Sequence, residues 1–266
     1  MKNIVDQFRL DGKIALITGS SQGIGFELAR AYGQAGATVI LNGRSEKKLE
    51  SAVKVMSEEN IKTYAAAFDV SNEEEVSIAI RKIERNIGVV DILVNNAGII
   101  KREVILEMKT SDFRKVIEMD LVSVFVVSKY VVEGMIAKKA GKIINICSMM
   151  SEYGRNSLSA YSSAKGGLKL LTKNMCVEWA KHNVQVNGIG PGYIETSLTK
   201  DFVQKSHPFN KLVMMRTPAA RWGKPEDLCG AALLLASNAG KFINGQVIYV
   251  DGGILANFGF VEGENI

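Results

Sequence analysis

Short runs of consecutive apolar residues recur along the chain, and each is followed by a longer stretch with apolar residues at helical spacing. The runs are rich in β-branched residues and lack alternating polar positions, which is typical of strands buried on both faces of a sheet. They predict strands over residues 14–17, 38–41, 63–68, 92–94, 142–147, 184–187 and 246–250. Helical spacing predicts helices over residues 24–35, 46–56 and 73–87, and further long helical stretches separate the later strands.

The alternation of strand and helix predicts how these elements are arranged. Right-handed crossovers join successive strands of such chains into a parallel sheet. We therefore expect an α/β Rossmann fold, with one doubly wound, seven-stranded parallel sheet and helices on both faces. A length of 266 residues is compatible with a single domain over residues 1–266. Residues 196–222 fit the pattern least and contain two of the four prolines, which indicates a mobile lid.

Composition and charge narrow the class of protein. The net charge is +5, but lysines and arginines are scattered among acids, which favours solvated helix faces over a nucleic-acid surface. Three cysteines without CxxC spacing argue against a disulfide framework and a zinc site, and His182 and His207 form no recognisable ligand motif. The chain has no uninterrupted apolar run of about 18 residues, so we expect no membrane span. The N-terminus lacks the apolar core of a signal peptide. We expect a cytoplasmic protein without a metal site.

A glycine-rich turn, TGSSQGIG at residues 18–25, joins the first predicted strand to the first helix. Gly19 permits a tight turn, Gly23 lets the backbone approach a pyrophosphate, and Gly25 allows the helix to pack on the sheet. Free N–H groups and the positive end of the helix dipole then hold the anion. The pattern predicts a dinucleotide site. Its expected contacts in this turn are Gly19, Ser21, Gln22, Gly23, Ile24 and Gly25.

The residues after the second strand favour one dinucleotide over the other. An acidic residue there would bind the ribose 2′-hydroxyl of NAD and repel a 2′-phosphate. The chain has Asn42, Gly43 and Arg44 at this point, and no acid. Because the planar guanidinium of Arg44 pairs well with phosphate, the sequence favours NADP, although Gln22 is not the second basic residue that such sites often add.

A second set of residues suits proton transfer. Ser148 follows a predicted strand, and Tyr161 stands near the start of a helix that carries Lys165 four residues later, on the same face. An isolated tyrosine has a pKa near ~10, and a nearby ammonium stabilises the phenolate. Such a tyrosine serves as a base in alcohol oxidation or as an acid in carbonyl reduction. Ser148 is placed to hold the substrate oxygen, and Lys165 to bond the ribose of the cofactor.

Together these motifs resemble the short-chain dehydrogenase/reductase family, from about residue 10 to 253. Residues 18–25 fit the family's TGxxxGxG turn, and residues 95–98 fit its NNAG motif. The resemblance implies a nucleotide-binding half over about 10–140, a catalytic and substrate half over about 141–253, and a C-terminal tail over 254–266. It also implies catalytic roles for Ser148, Tyr161 and Lys165. Further implied cofactor contacts are Asp69, Val70, Asn96, Ala97, Gly98, Tyr161, Lys165, Ile194 and Thr196.

The chain departs from the family at one position. The fourth catalytic residue of the family is usually an asparagine, in the helix before the strand that leads to the serine, where it anchors a water of a proton relay to the lysine. Asp120 takes that place here. It is nearly isosteric with asparagine, so two outcomes stay open. It keeps the relay, or it pairs with Lys165 and alters the charge balance of the site.

Finer matches concern the substrate. Residues 145–149, 154–155, 175–178 and 216–223 resemble the gluconate 5-dehydrogenase branch of the family, which implies interconversion of D-gluconate and 5-keto-D-gluconate. Arg102 and Arg155 fall in loops expected beyond the carboxyl ends of strands, where an arginine can clamp a carboxylate. Both are expected substrate contacts with Ser148 and Tyr161. The segment contains few aromatic residues to line a long acyl or steroid groove.

Two other enzymatic functions and one non-enzymatic function stay open as hypotheses. A 3-oxoacyl carrier-protein reductase, or a dehydrogenase of another sugar acid, uses the same core. A non-catalytic NADP sensor would keep the fold, and Asp120 is the only feature in its favour. The resemblance also implies a homotetramer, built through the helices that contain Asp120 and Tyr161 and through the last strand.

Overall fold

The computed structural model describes residues 3–197, 199–257 and 259, and the strands in this part of the chain form one sheet. The strands are β1 Ile14–Ile17, β2 Thr38–Gly43, β3 Thr63–Ala67, β4 Ile92–Asn95, β5 Gly141–Ile146, β6 Val184–Pro191 and β7 Val247–Val250. All neighbours in the order β3-β2-β1-β4-β5-β6-β7 are parallel. The predicted doubly wound, seven-stranded parallel sheet is confirmed.

Helices cover both faces of this sheet. They are α1 Gly23–Gln34, α2 Glu46–Glu58, α3 Glu73–Asn86, α4 Thr110–Ile117, α5 Ser123–Lys138, α6 Ser159–Trp179, α7 Pro208–Arg216 and α8 Cys229–Ala236. Apolar side chains of α1, α2 and α8 pack into one buried cluster against the sheet. Those of α3, α5 and α6 pack into a second cluster on the opposite face. The five inner strands are therefore largely screened from water on both sides, which explains their apolar sequences, whereas the edge strands β3 and β7 are partly exposed.

Local signals explain where the first helices begin. The side chain of Asn72 accepts hydrogen bonds from the N–H groups of Glu74 and Glu75, and three acids then occupy the favourable first turn of α3. Ser45 caps α2 in the same way, by accepting from the N–H of Lys48. Because such caps are written in the sequence, the predicted starts at residues 46 and 73 agree with the structure.

The sixth strand is longer than predicted. It was expected to end at residue 187, but it continues to Pro191. Its extension pairs with β7 from Gly188 to Pro191. A β-carbon at Gly190 would lie 2.3 Å from the ring of Tyr249, so glycine there permits close packing of the strands instead of a turn.

The order of the strands fixes where a ligand fits. The chain winds outward from β1 in one direction to β2 and β3, and then returns to place β4 on the other side of β1. The connections that leave the carboxyl ends of β1 and β4 therefore diverge and leave a crevice between them.

Two further predictions concern the ends of the chain and the membrane. Residues 258 and 260–266 of the predicted tail lie outside the described residues. No helix within the described ranges has the length and apolar character needed to cross a membrane.

Candidate active site

The carboxyl ends of the central strands border one open pocket of about 760 Å³. Its walls contain every residue predicted to contact the cofactor or substrate or to transfer a proton, with the exception of Gly25. A second pocket, of about 620 Å³, lies between β3, α2 and α3 and contains none of them. The fold thus brings residues from distant parts of the sequence to the crevice expected from the sheet order.

The glycine turn is held against the loop that follows β4. Gly19 has a φ of +61°, and a β-carbon there would lie 2.8 Å from the Cα of Ala97. A β-carbon at Gly25 would lie 2.8 Å from the carbonyl oxygen of Gly19. Larger residues would therefore push the turn out of place, and Gly25 acts behind the pocket wall, not on it. The backbone N–H groups that begin α1 are left to face the crevice, where an anion binds well.

Two polar side chains brace this turn. The Oγ1 of Thr18 accepts hydrogen bonds from the N–H groups of Asn96, at 2.9 Å, and Ala97, at 3.0 Å. The side-chain amide of Asn96 donates in return to the carbonyl oxygens of Thr18 and Gly19, at 2.9 and 3.0 Å. Sequence analysis missed this role of Thr18, although it is the first residue of the glycine motif. The contact between β1 and β4 could only be known from the fold.

One end of the pocket has the features of a site for adenosine and its phosphate. Arg44 is exposed there, and its guanidinium lies 3.8 Å from the carboxylate of Asp69. Burial alone would raise the pKa of Asp69, but hydrogen bonds from Ser71 hold this pKa below its usual value, so the group is an anion that steadies Arg44. Val70 lines the wall beside it, and Lys48, in the first turn of α2, supplies a second cation that sequence analysis did not single out.

The three residues predicted to serve proton transfer lie near the carboxyl end of β5 and in the first turns of α6. Ser148 lies two residues beyond the end of β5, and its Oγ accepts a hydrogen bond of 3.1 Å from the N–H of Met150. Tyr161 is the third residue of α6, one turn before Lys165. The buried Nζ of Lys165 lies 5.6 Å from the centre of the Tyr161 ring and donates to the carbonyl oxygen of Ile146 at 2.9 Å. The predicted spacing therefore places the ammonium beside the phenol.

Asp120 reaches the same place from another element. It was expected inside a helix, but it lies in a single π-helical turn, Glu118–Val122, between α4 and α5. Its side chain is fully buried, and one carboxylate oxygen lies 3.3 Å from the Nζ of Lys165. Of the two outcomes left open by the sequence, the structure places Asp120 in an ion pair with Lys165.

The loop after β6 closes the pocket beside the tyrosine. Ile194 makes a short parallel bridge with Gly223, which ties the start of the loop to its end. The Oγ1 of Thr199 accepts from the N–H of Thr196 at 2.8 Å and donates to the carbonyl oxygen of Ile194 at 2.7 Å. Ile194 and Thr196 are thus held in the wall at the positions where the family resemblance expects cofactor contacts.

Two arginines face the pocket at its mouth. The Cζ of Arg102 lies 5.1 Å from the centre of the Phe202 ring, and that of Arg155 lies 4.4 Å from the centre of the Phe209 ring. Arg155 also donates to the hydroxyl of Tyr193 at 3.4 Å. Burial, followed by repulsion from Arg155, lowers the pKa of Arg102 from its usual value. Neither guanidinium is within ion-pair distance of a carboxylate in the described part of the chain.

The arginines rest on a cluster of aromatic rings, which we call the aromatic shelf. It consists of Tyr193, Phe202, Phe209 and Trp222, with centroid distances from 5.2 to 6.0 Å between neighbouring rings. These rings support the arginines, a role that the sequence analysis did not predict. Three of the four rings come from the segment 196–222, and the fold gathers them although they are sparse in the sequence.

The histidines take structural positions. The Nδ1 of His207 accepts a hydrogen bond of 3.1 Å from the N–H of Phe209 and begins α7, and His182 lies in a short helical turn after α6. Within residues 3–197, 199–257 and 259, no three potential metal ligands come together.

A family model of the short chain dehydrogenases matches residues 13–207 of the chain. That range includes the glycine turn, Asp120, Ser148, Tyr161 and Lys165. It covers most of the sheet and nearly all of the pocket.

Individual proteins resemble the chain over almost its whole length. The 2-dehydro-3-deoxy-D-gluconate 5-dehydrogenase of Formosa agariphila is 57% identical, over 96% of this chain and 97% of its own. The 5-keto-D-gluconate 5-reductase of Escherichia coli is 48% identical, over 94% of this chain and 98% of its own. A crystal structure of a gluconate 5-dehydrogenase from Burkholderia cenocepacia, in complex with NADP and tartrate, has a TM-score of 0.93 at 43% identity, over 96% of this chain and all of that one.

Proposed function

Since the chain belongs to the short-chain dehydrogenase family, we propose that it is an NADP-dependent oxidoreductase of a sugar acid, acting on D-gluconate and 5-keto-D-gluconate. The observation that carries this proposal is that Arg102 and Arg155, which have no carboxylate partner among the described residues, lie in the same pocket as Ser148, Tyr161 and Lys165. Ser148, Tyr161 and Lys165 suit the transfer of a hydroxyl proton. The two arginines offer positive charge to the carboxylate of an acid.

The pocket fits NADP. The glycine turn keeps its shape because β-carbons at Gly19 and Gly25 would meet Ala97 and the turn itself, and the N–H groups at the start of α1 suit the pyrophosphate. Arg44 and Lys48 offer two cations at the far end, which suits the additional 2′-phosphate. When bound, NADP supplies the group that accepts or returns a hydride.

In this proposal Tyr161 exchanges the proton. In the oxidative direction the phenolate of Tyr161 takes the proton of the substrate hydroxyl, while the hydroxyl-bearing carbon loses a hydride, so a ketone remains. In the reductive direction Tyr161 returns a proton to the carbonyl oxygen. Ser148 donates a hydrogen bond to that oxygen, and Lys165 supports Tyr161 and bonds the ribose of the cofactor.

Arg102 and Arg155 are proposed to bind the carboxylate of the sugar acid. Both guanidinium groups keep their charge at neutral pH, because the pKa of arginine lies far above it. Their mutual repulsion costs free energy that an anion between them would relieve. The aromatic shelf holds them in place, so little side-chain entropy is lost on binding.

The proposal is tested by following NADPH absorbance with purified protein. We expect oxidation of D-gluconate with NADP, reduction of 5-keto-D-gluconate with NADPH, and much weaker rates with NAD. Reduction of an acetoacetyl thioester together with inactivity on every sugar acid would refute the substrate class and favour a 3-oxoacyl carrier-protein reductase. NADP binding without turnover of any alcohol would favour the sensor.

A second sugar acid is favoured by one observation. The Formosa agariphila relative, at 57% identity, is named for a 2-dehydro-3-deoxy-D-gluconate. The two substrates share the carboxylate and a hydroxyl at carbon 5, and differ at carbons 2 and 3. The ratio of kcat/KM for D-gluconate to kcat/KM for the deoxy acid decides between them, because both are expected to use the same arginines and tyrosine.

The same proposal includes the assembly and the compartment. Phe125 on α5 and Leu170 and Val177 on α6 are exposed apolar side chains, which suits burial between subunits of a homotetramer. Light scattering of the purified protein measures its mass directly. Cys147, Cys176 and Cys229 are free thiols, which is compatible with work in the reducing cytoplasm.

A further inference from the structure

The buried carboxylate of Asp120 is enclosed on every side that the structure describes. One of its oxygens accepts a hydrogen bond of 2.8 Å from the N–H of Ile99. The other faces Lys165 and lies where a β-carbon on Gly98 would come within 3.0 Å of it. The Nζ of Lys165 is fixed in turn by the carbonyl oxygen of Ile146. Neither partner can turn away from the other without breaking a second buried contact.

The ionisation of the two groups is linked. Burial raises the pKa of Asp120, against the opposing effect of Lys165. Burial alone would lower the pKa of Lys165, but Asp120 and Tyr161 hold it above its usual value. Whichever of the two groups holds the shared proton, the pair has no net charge. An asparagine in place of Asp120 would leave one uncompensated positive charge at Lys165.

That difference matters because of where the pair lies. The Nζ of Lys165 is 5.6 Å from the centre of the Tyr161 ring, close enough for its charge to stabilise the phenolate. A carboxylate 3.3 Å from the same Nζ cancels much of that field. Tyr161 therefore receives less support as a phenolate here than it would beside an unpaired ammonium.

We propose that Asp120 is a positioning residue that neutralises Lys165 and so reduces the support that this lysine gives to the phenolate of Tyr161, compared with an asparagine at the same position. This inference rests on the proposed function, because the phenolate form of Tyr161 is the base in alcohol oxidation and the phenol form is the acid in carbonyl reduction. Replacing Asp120 by asparagine should therefore move the pH dependence of both directions in the same sense.

Other ionisable groups lie near the pair, and the test must separate Asp120 from them. Tyr161 and Cys147 act on Lys165 directly. Lys169 and Glu152 act on Cys147, and Arg102, Arg155 and Tyr193 interact with one another and with Tyr161 in the same pocket. Burial raises the pKa of the Cys147 thiol to about 11, so this group stays neutral over the range of interest.

The test compares pH profiles of kcat for wild type and Asp120→Asn, in both directions, with NADP and D-gluconate and with NADPH and 5-keto-D-gluconate. The variant removes the charge but keeps an oxygen that accepts from Ile99. Asparagine is also the usual residue at this position in the family, so the fold tolerates it. We expect the acid limb of oxidation and the alkaline limb of reduction to move lower by on the order of one pH unit.

Two further variants separate charge from packing. Glu118→Gln removes an equivalent charge from an exposed residue of the same π-helical turn and is expected to leave both limbs in place. Asp120→Ala removes the charge and the contact to Ile99, so it should show the same shift with an additional loss of kcat at every pH. A uniform loss of kcat in Asp120→Asn, with unmoved limbs, would overturn the proposal and leave Asp120 as a support for the Ile99 backbone.

A titration without turnover separates this inference from the proposed function. Ultraviolet absorbance of tyrosinate is recorded in NADP-saturated protein, and the Tyr161→Phe counterpart of each protein is subtracted. We expect the midpoint of this difference to fall by on the order of one pH unit in Asp120→Asn. If D-gluconate is not the substrate, the kinetic profiles fail but this titration still responds. An equal midpoint in both proteins contradicts the inference, whatever the substrate.

Discussion

At the scale of single residues, the proposed chemistry depends on a tyrosine and a lysine four positions apart on one face of α6. The helix fixes their mutual position, and the carbonyl oxygen of Ile146 fixes the ammonium from the other side. Tyr161 is therefore held close to its charge partner before any ligand binds. Preorganisation of this kind avoids reorganisation when the proton moves.

Tyr161→Phe removes the hydroxyl and keeps the ring that packs beside Lys165. We expect kcat to fall by about a hundredfold to ten-thousandfold, because general acid–base catalysis contributes that much. The affinity for NADP, measured by fluorescence titration, should change little. Retained turnover in this variant would show that another group exchanges the proton.

Arg44→Ala tests the basis of cofactor choice. Loss of a charge-assisted hydrogen bond of roughly 1.5–3 kcal/mol should raise the KM for NADP by about tenfold to a hundredfold and leave the KM for NAD nearly unchanged. Lys47→Ala is the matched control, since it removes a neighbouring positive charge that does not line the pocket. A similar rise in both variants would indicate general electrostatic attraction, and no change in Arg44→Ala would leave the role to Lys48.

At the scale of elements, the segment between β6 and α8 supports the arginines that we propose to bind the substrate. Its short helix α7 provides Phe209, which contacts Tyr193 at 5.2 Å between ring centres and supports Arg155. The Nε1 of Trp222 donates to the side chain of Asn210 at 2.8 Å and fixes the last ring to α7. The aromatic shelf and the arginines thus form one packed unit, and movement of α7 would displace the charge offered to the substrate.

Phe209→Leu keeps an apolar residue in α7 but removes the ring under Arg155. A cation–π contact at a partly exposed site contributes about 0.5–1 kcal/mol, so the KM for D-gluconate should rise about two- to fivefold with little change in kcat. Phe242→Leu, at an exposed ring outside the pocket, is the control with the same chemical change. A fall in kcat at constant KM would mean that the ring serves the chemical step and not the carboxylate site.

The helices and strands differ in how accurately their bounds were predicted from the sequence. The caps and apolar spacing of α2 and α3 are local, so their starts were predicted correctly. The predicted end of β6 was wrong because its glycines allow pairing with β7, and this pairing cannot be inferred from the local sequence. The π-helical turn around Asp120 was missed for the same reason, since its sequence continues the helical pattern of α4.

At the scale of the whole molecule, stability comes from two apolar clusters on opposite faces of the sheet, and ionisable groups that intrude on them reduce it. Lys142 is the second residue of β5, and its Nζ is buried without a hydrogen-bond partner among the described residues. Burial, with repulsion from Lys13, lowers the pKa of Lys142 to about 8. Its charge is therefore a cost of folding at neutral pH.

Lys142→Met should stabilise the protein in a manner that depends on pH. Because the folded pKa of about 8 lies below the unfolded value, only the unfolded chain keeps this proton between them, so wild-type stability rises with pH there. The gain from Lys142→Met should be on the order of 1 kcal/mol at neutral pH, discounted for partial exposure, and should fade as the pH rises above about 8.

Chemical denaturation at several pH values measures this gain. Lys54→Met, at an exposed position of α2, controls for the loss of one lysine. A gain that is equal at all pH values would come from apolar packing and not from the buried charge.

The sequence by itself determined the family, the parallel sheet, and the residues of the glycine turn and of the Ser148, Tyr161 and Lys165 set, because these depend on local spacing and on apolar runs. The match over residues 13–207 confirms the family, the strand order confirms the sheet, and the roles of the site residues stay predictions. Only the tertiary structure decided that Thr18 braces the turn, that Lys48 joins Arg44 at the pocket, that the arginines rest on an aromatic shelf, and that Asp120 lies in an ion pair with Lys165. Each of these joins residues far apart in the chain or on different elements, and their distances are set by how helices and strands pack, which no local pattern records.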